Sequence, residues 1–264
     1  MMKISVVLTT KNEEKNIGEL LESLSNQEEP YEVLVVDSDS TDKTQEIVKK
    51  YSKKKKNIKL LIHPGTRAES MNYGIQKSTG DAVAFIGGDD IAETHWIREI
   101  RKVMQHADIV VGKLISKGDD RFKALKNVKL FHKGVNISFP GTNTTYKKEI
   151  LDKLGGFDSS LFSAEDLDLN YRAVEAGYNI VVNETAMVYY RPRNSLYAFL
   201  RQSFWYGAGR KLLGVKYGSI WSRHSPIDII KTQFSILGIV RLALGFLGYI
   251  YCVKVINKKS VIKK

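Results

Sequence analysis

A single cysteine, Cys252, stands in 264 residues, so the chain cannot close a disulfide on itself, and a disulfide scaffold is excluded. A reducing compartment fits that usage, and Cys252, set in an apolar run, reads as inert. The five histidines, His63, His95, His106, His132 and His224, have no ligand spacing among themselves or with the cysteine, which removes a zinc pattern and leaves them structural or superficial. Met1–Thr10 lacks a basic region followed by a long apolar run, so no secretory leader is expected there. Acid is nearly missing from the far end. From Arg191 to Lys264 there is one acidic residue, Asp228, against 14 Lys and Arg, a net of +13. The preceding residues hold 27 Lys and Arg against 28 Asp and Glu, so the whole chain's +12 resides in its last quarter. Such asymmetry predicts an anionic surface as partner, nucleic acid or membrane. The tail has no recognition motif and is too apolar for nucleic acid, so the membrane reading is preferred.

Hydrophobic residues make up 43% of the chain, enough for one large domain or a domain with an appendage. Short β-branched runs at Lys3–Thr9, Glu32–Val36, Lys59–Ile62, Ala82–Ile86 and Ile109–Val111 read as buried strands. Between them lie helical patterns. Ile17, Leu20, Leu21 and Leu24 fall at i, i+3, i+4 and i+7; Ile47, Val48 and Tyr51, then Ala68, Met71, Asn72 and Ile75, then Trp96, Ile97, Ile100, Val103 and Met104 mark three more helices. Asp39 or Ser40 can cap the second of these. Alternation of this kind predicts an α/β, doubly wound, mostly parallel sheet. Ser116–Tyr190 is less regular and reads as an α+β region laid over the sheet's C-terminal edge.

Polar clusters follow four of the strands: Thr9–Glu13, Asp37–Ser40, Gly65–Arg67 and Asp89–Asp90. In open α/β sheets such ends lie along one edge, where ligands bind. The stretch Asp81–Asp90, DAVAFIGGDD, is the most pointed: a buried strand, two glycines, then adjacent carboxylates. Hard oxygen ligands there suit Mg²⁺ or Mn²⁺ bridging to a diphosphate, although Gly-Gly-Asp-Asp is also ordinary turn chemistry. Together the clusters describe a nucleotide cleft.

The order SVVLTTKNEEKNIGELLESL, YEVLVVDSDSTDKTQEIV, RAESMNYGIQKSTGDAVAFIGGDD and GGFDSSLFSAEDLDLNYRAVEAGY resembles glycosyltransferase family 2, inverting nucleotide-sugar-dependent enzymes of GT-A fold. PRNSLYAFLRQSFWYGAGR further resembles the succinoglycan-biosynthesis branch. The resemblance implies that Thr9, Glu13 and Asp37 hold the nucleoside, with Asp39 near the ribose and Arg67 and Asn72 lining the pocket. Asp89 would be the metal-binding member of the family's Asp-x-Asp motif. The motif's first Asp is here Gly87, for which Asp90 would partly compensate. Where many relatives carry a His after the last core strand, Tyr189-Tyr190-Arg191 stands, so Arg191 or Arg193 would help neutralise the leaving diphosphate. Asp166 of the Glu165-Asp166 pair would be the catalytic base, and Thr142, Asn143 and Glu165 would meet the acceptor, as would Arg201, Gln202 and Arg210 on the following helix. Ser163-x-x-Asp166 can equally be a capping box for the helix it opens, and residues 142–144 a polar loop.

The domain reading is a catalytic domain over 1–195, with a nucleotide half at 1–114 and an acceptor half at 115–195, then a basic, aromatic helical tail over 196–264. Its segment 236–256 is almost wholly apolar. Ile236–Val253, interrupted only by Arg241, is near spanning length. Basic residues flank both sides, Arg223 and Lys231 before and Lys254, Lys258, Lys259, Lys263 and Lys264 after, which disfavours carrying either flank across a bilayer. A monotopic segment on the cytoplasmic face, held by anionic lipid, fits better. The expectation is therefore a membrane-associated glycosyltransferase using a UDP- or GDP-sugar, with Mg²⁺ or Mn²⁺, on a lipid-linked or glycan acceptor. A polyprenyl-phosphate sugar synthase and a non-catalytic scaffold are the alternatives.

Overall fold

A computed structural model describes residues 1–118, 129–192, 195–218 and 235–262, with side chains through Val253. Strands β1 (Ile4–Thr10), β2 (Tyr31–Asp37), β3 (Ile58–Ile62) and β4 (Ala82–Phe85) alternate with helices α1 (Ile17–Ser25), α2 (Thr44–Lys54) and α3 (Arg67–Lys77). Then come β5 (Ile91–Ala92), α4 (Trp96–Met104), β6 (Ile109–Ser116), the small hairpin β7 (Phe131–His132) and β8 (Val135–Asn136), β9 (Thr144–Lys147), α5 (Lys148–Leu154), α6 (Glu165–Glu175) and β10 (Ile180–Tyr190). Two long helices follow, α7 (Leu196–Tyr217) and α8 (Ile236–Ile262).

The main sheet has the order β3-β2-β1-β4-β9-β6-β10-β5. Strands β1 to β4 are mutually parallel, β9 runs against both β4 and β6, and β5 runs against β10. The mostly parallel α/β sheet expected from sequence is thus present, but residues 116–190 do not simply lie over it. They supply β9, which enters the sheet between β4 and β6, and β10, which pairs with β6 from Ile180↔Ile109 onward.

Both faces of the sheet are covered, which is why its strands read as unbroken apolar runs. Val6 and Leu8 of β1 pack with Ile17, Leu20, Leu21, Leu24 and Trp96 on one face. Val7 points the other way, with Met71, Ile75, Phe85, Tyr146, Phe157 and Leu169. Each fully buried Leu or Ile contributes about 1.5–3 kcal/mol relative to exposure, so these two clusters hold the strand ends that carry the site.

Helix starts are made differently from the simple expectation. At α3 a full capping box forms, Thr66 with Glu69, which sets Arg67 at the first helical position. At α6 none forms: the preceding residue is Ala164 in a left-handed turn, φ 66°, and the Ser163 hydroxyl donates instead to the Trp205 carbonyl of α7, 3.2 Å. The tertiary contact to α7 takes the serine from its helix. At α2 neither Asp39 nor Ser40 caps; Lys43 precedes the helix, and Ser40 is held by the Asp37 carboxylate.

The helices α7 and α8 pack backbone to backbone. A Cβ on Gly207 would meet the Gly245 carbonyl at 1.7 Å, and one on Gly248 would meet that of Phe204 at 1.9 Å, so only glycine permits the approach. The α7 end is latched to α6: Tyr217 and Lys216 both donate to the buried Asp168, each at 2.6 Å, and Arg172 completes the Asp168 pairing at 2.8 Å. Tyr217 stacks on Tyr171, which stacks on His132.

Candidate active site

One cavity of about 690 Å³ opens beyond the C-terminal ends of β1 and β4. Its sheet wall comprises Thr9, Lys11, Glu13 and the turn Gly87–Asp90; Arg67 and the loop Pro140–Thr142 form one side. Opposite stand Tyr190, Arg191 and Pro192, then Phe199, Gln202, Ser203 and Tyr206 of α7 and Arg241 of α8.

The turn after β4 is built around Asp90. Its carboxylate accepts from the Gly87 N–H at 2.9 Å and from the Thr142 hydroxyl at 2.6 Å. Burial pushes its pKa up, with the charge of Asp89 adding to the effect. A Cβ on Gly87 would lie 2.7 Å from an Asp90 oxygen and 3.2 Å from one of Asp89. Asp90 therefore fills the space that a side chain at position 87 would need. Glu13, whose Oε2 accepts from Asn16 at 2.8 Å, also has a raised pKa, mainly through desolvation, with Asp89 contributing.

Asp89 thus faces the cavity among carboxylates that its charge already disfavours. Among the described residues no three His, Cys, Asp or Glu side chains converge as a metal cage. That donor set fits a divalent cation of the kind that takes one carboxylate and completes its shell with diphosphate oxygens and water.

On the adjoining side, Arg67 pairs with Glu165 at 3.6 Å. Glu165 is buried and its pKa is raised by that burial, opposed by Arg67. Asp166 sits immediately behind the cavity loop: its Oδ2 accepts the N–H of Gly141, 3.0 Å, and its Oδ1 that of Leu167, 2.8 Å. Arg191 is tethered to α1, donating to Asn16 at 3.0 Å and pairing with Glu19.

Several expected residues lie elsewhere. Asn143 is fully buried: it accepts from the Trp96 indole, 2.8 Å, and donates to the carbonyls of Lys113 and Ala186. With φ 56° it is a sheet-locking residue and is not available to an acceptor. Asn72 binds both backbone groups of Phe157, each at 2.8 Å, and holds the loop before α6 instead of lining the pocket. Asp37 is 0% exposed and does not line the cavity; its carboxylate accepts from Ser40 and from Gln45. Asp39 is exposed in a left-handed turn, φ 59°. Arg201 is exposed, and Arg210 is partly buried; neither lines the cavity, whereas Gln202 does, with its amide donating to Tyr206 at 2.8 Å. Arg193, and Lys231 and Arg223 of the tail, lie outside the described residues. The sequence reading missed Lys11, Tyr206 and Arg241. For Arg241 a signal existed: it is the one charge in Ile236–Val253.

Residues 5–163 match the family model described as glycosyl transferase family 2. The chain belongs to that family. The family-2 chain is 26% identical over 287 residues to a dolichyl N-acetyl-alpha-D-glucosaminyl phosphate 3-beta-D-2,3-diacetamido-2,3-dideoxy-beta-D-glucuronosyltransferase of Methanococcus voltae, covering 98% of this chain and 88% of the relative. Staphylococcus aureus TarS 1–349 in complex with UDP-GlcNAc superposes with TM-score 0.64 at 25% identity, covering 87% of this chain and 67% of that one. A mannosyltransferase of Pyrobaculum calidifontis in complex with GDP-Man and Mn²⁺ gives TM-score 0.66 at 18% identity, over 98% of this chain and 79% of the other, a likeness of fold. The family-2 chain is a glycosyltransferase of GT-A fold. The finer resemblance to the succinoglycan branch has no counterpart among these three proteins.

Proposed function

We propose that this family-2 enzyme transfers a sugar, with inversion, from a UDP- or GDP-sugar to a hydroxyl of a lipid-linked or polysaccharide acceptor at a membrane surface. The observation that carries the reading is a cavity bounded by Asp89 on the sheet wall and, adjoining it through the Thr142–Asp90 hydrogen bond, by the Pro140–Thr142 loop that Asp166 holds from behind. An inverting transfer needs one carboxylate toward the leaving diphosphate and one toward the acceptor, and Asp89 and Asp166 stand at the two ends of this hydrogen-bonded turn and loop.

Thr9, Lys11 and Glu13 line the donor end, with Asp37 shaping the turn beneath it. Asp89 would hold a divalent cation, Mg²⁺ or Mn²⁺, which when bound supplies Lewis-acid neutralisation of the diphosphate. Arg191 adds positive charge where the leaving group departs. The acceptor oxygen attacks the anomeric carbon as the bond to the diphosphate oxygen breaks. Asp166 takes the hydroxyl proton, and Glu165, paired to Arg67, orients the loop against it.

Membrane association rests on α8. Its window Ile236–Val253 has mean hydropathy 2.0 and is 17% buried, and the tail's net charge complements anionic lipid. Seated on the cytoplasmic face, that helix would hold the cavity it lines near the lipid surface.

The test is a panel of UDP- and GDP-sugars with the purified full chain, read by melting temperature and by release of nucleotide diphosphate, with Mg²⁺ or Mn²⁺ and with EDTA. One nucleotide class should stabilise the fold, by about 2.7 kcal/mol at a hundredfold excess over its Kd. If no member of the panel stabilises the protein or turns over, the reading is overturned.

A further inference from the structure

The charge at Arg241 is out of keeping with its helix. Along α8, Arg241, Gly245, Gly248 and Cys252 fall at i, i+4, i+7 and i+11, one stripe of a helix. Gly245 and Gly248 meet α7 backbone to backbone, Cys252 is buried and Arg241 enters the cavity. The opposite stripe, Ile236, Ile239, Phe246, Leu247 and Ile250, is exposed and apolar. Arg241 interacts with Tyr206 of α7, and it does so on the cavity wall, where apolar packing alone would not call for a charge. Charges inside apolar segments are costly and mark ligand paths.

A second cation stands beside it. Arg210 of α7 has its pKa pushed down to about 10, first by desolvation and then by Arg241. Arg241, itself lowered by desolvation, thus adds its charge to that of Arg210 beside the cavity, where an anion would relieve both. Gln202 and Tyr206, also on this wall, add hydrogen-bonding groups. The wall belongs to a helix whose opposite face is exposed and apolar, so Arg241 lies about one helix diameter, roughly 10–12 Å, from the surface that face would rest on, within reach of a phosphate carried on a lipid chain.

We infer that Arg241 binds the phosphate or diphosphate of a lipid-linked acceptor, with Arg210 behind it, and so selects lipid-linked acceptors over free glycans. This rests on the reading of the cavity as the transfer site. Arginine suits the role because its planar fork takes phosphate oxygens bidentately, which lysine does not.

The experiment uses the full chain in phosphatidylcholine nanodiscs, with geranylgeranyl diphosphate as probe, geranylgeraniol as its uncharged counterpart, and UDP and GDP as donor probes. Arg241→Gln should weaken the diphosphate probe about tenfold or more, leave geranylgeraniol unchanged and leave nucleotide affinity unchanged. Arg241→Lys should recover part of the loss and melt like wild type, which keeps the test readable if the glutamine variant folds poorly. Wild-type affinity for the charged probe in Arg241→Gln overturns the inference. So does an equal loss for UDP or GDP, which would assign Arg241 to the donor diphosphate, and so does displacement of the probe by inorganic phosphate alone at equal concentration, which would mark a free-phosphate site. Nucleotide binding by the wild type is scored in the same preparation: its absence sinks the proposed function, whereas an unaffected Arg241→Gln variant sinks only the role of Arg241.

Discussion

The two walls of the cavity are built on opposite plans. The sheet wall is hydrogen-bonded and acidic: Glu13, Asp89 and Asp90 follow strands whose registers are locked by their neighbours, and Asp90 is held by Gly87 and Thr142. The helix wall is cationic and aromatic: Gln202, Tyr206 and Arg241 ride on a helix pair whose closeness depends on glycine. The sheet wall is buried within the protein on both sides, while the helix wall turns an apolar face outward. The difference teaches that the acidic wall suits a cation and a diphosphate, and the basic wall suits an anion arriving with the acceptor.

Changes to the acidic wall and to the loop hydrogen-bonded to it should have the largest effects. Asp166→Asn keeps size and one hydrogen-bonding oxygen but cannot act as base, so kcat should fall about 10²–10⁴-fold, with nucleotide affinity by calorimetry near wild type. Glu165→Gln should cost less. A folded Asp166→Asn enzyme with undiminished kcat on a hydroxyl acceptor would remove the base assignment and favour a phosphate acceptor, which needs little base assistance.

Next comes Asp89→Asn. Loss of its charge removes the hold on the divalent cation, several kcal/mol of stabilisation, so transfer should fall by at least about 100-fold and donor affinity should lose its dependence on Mn²⁺. Wild-type rates in excess EDTA would break the comparison by leaving Arg191 as the neutralising group.

A smaller effect is expected where the helix wall is held together. Gly207→Leu drives a side chain into the Gly245 carbonyl; overpacking of this kind costs about 1–3 kcal/mol. The melting temperature should drop, and the cavity's α8 residues should lose their place while nucleotide binding on the sheet wall survives. Equal loss of both would show that the walls are not separable.

The smallest effect concerns the far side of the sheet. Glu32 is buried, which alone would raise its pKa, but hydrogen bonds from Thr79, Ser5 and Lys59 pull it down to about 2. A carboxylate lowered in the folded state stabilises above its unfolded pKa, about 4.3, and loses that stabilisation as pH falls toward 2. Glu32→Gln should therefore destabilise by about 1.5–3 kcal/mol at pH 7, with the difference shrinking through pH 4 to 2, in urea unfolding. Catalysis should be unchanged. A pH-independent difference would assign the loss to packing.

How much was legible in the sequence depended on how far apart the partners lie. The α1 pattern at Ile17, Leu20, Leu21 and Leu24 reports its own buried face, and the runs of β1, β2 and β4 report burial on both sides. Asp89, at the end of such a run, could be placed by counting. The cap at Ser163 could not, because its hydroxyl goes to Trp205 on α7, and Asn143 and Asn72 could not, because their amides serve Trp96 and Phe157. Short polar residues look alike in sequence whether they meet a ligand or a distant backbone group.

The sequence by itself determined the sheet class, the family and the line of carboxylates at strand ends, since hydrophobic period and local spacing carry those directly. Only the tertiary structure decided that β9 enters between β4 and β6, that Asp90 occupies the room beside Gly87, and that Arg241 turns inward into the cavity. Each of those depends on contacts between residues far apart in the chain, from Asp90 meeting Thr142 to α8 closing on Gly207. Such contacts arise only when the core has packed, so a local pattern can at most mark a residue as unusual, as the lone charge at Arg241 does, without telling where it points.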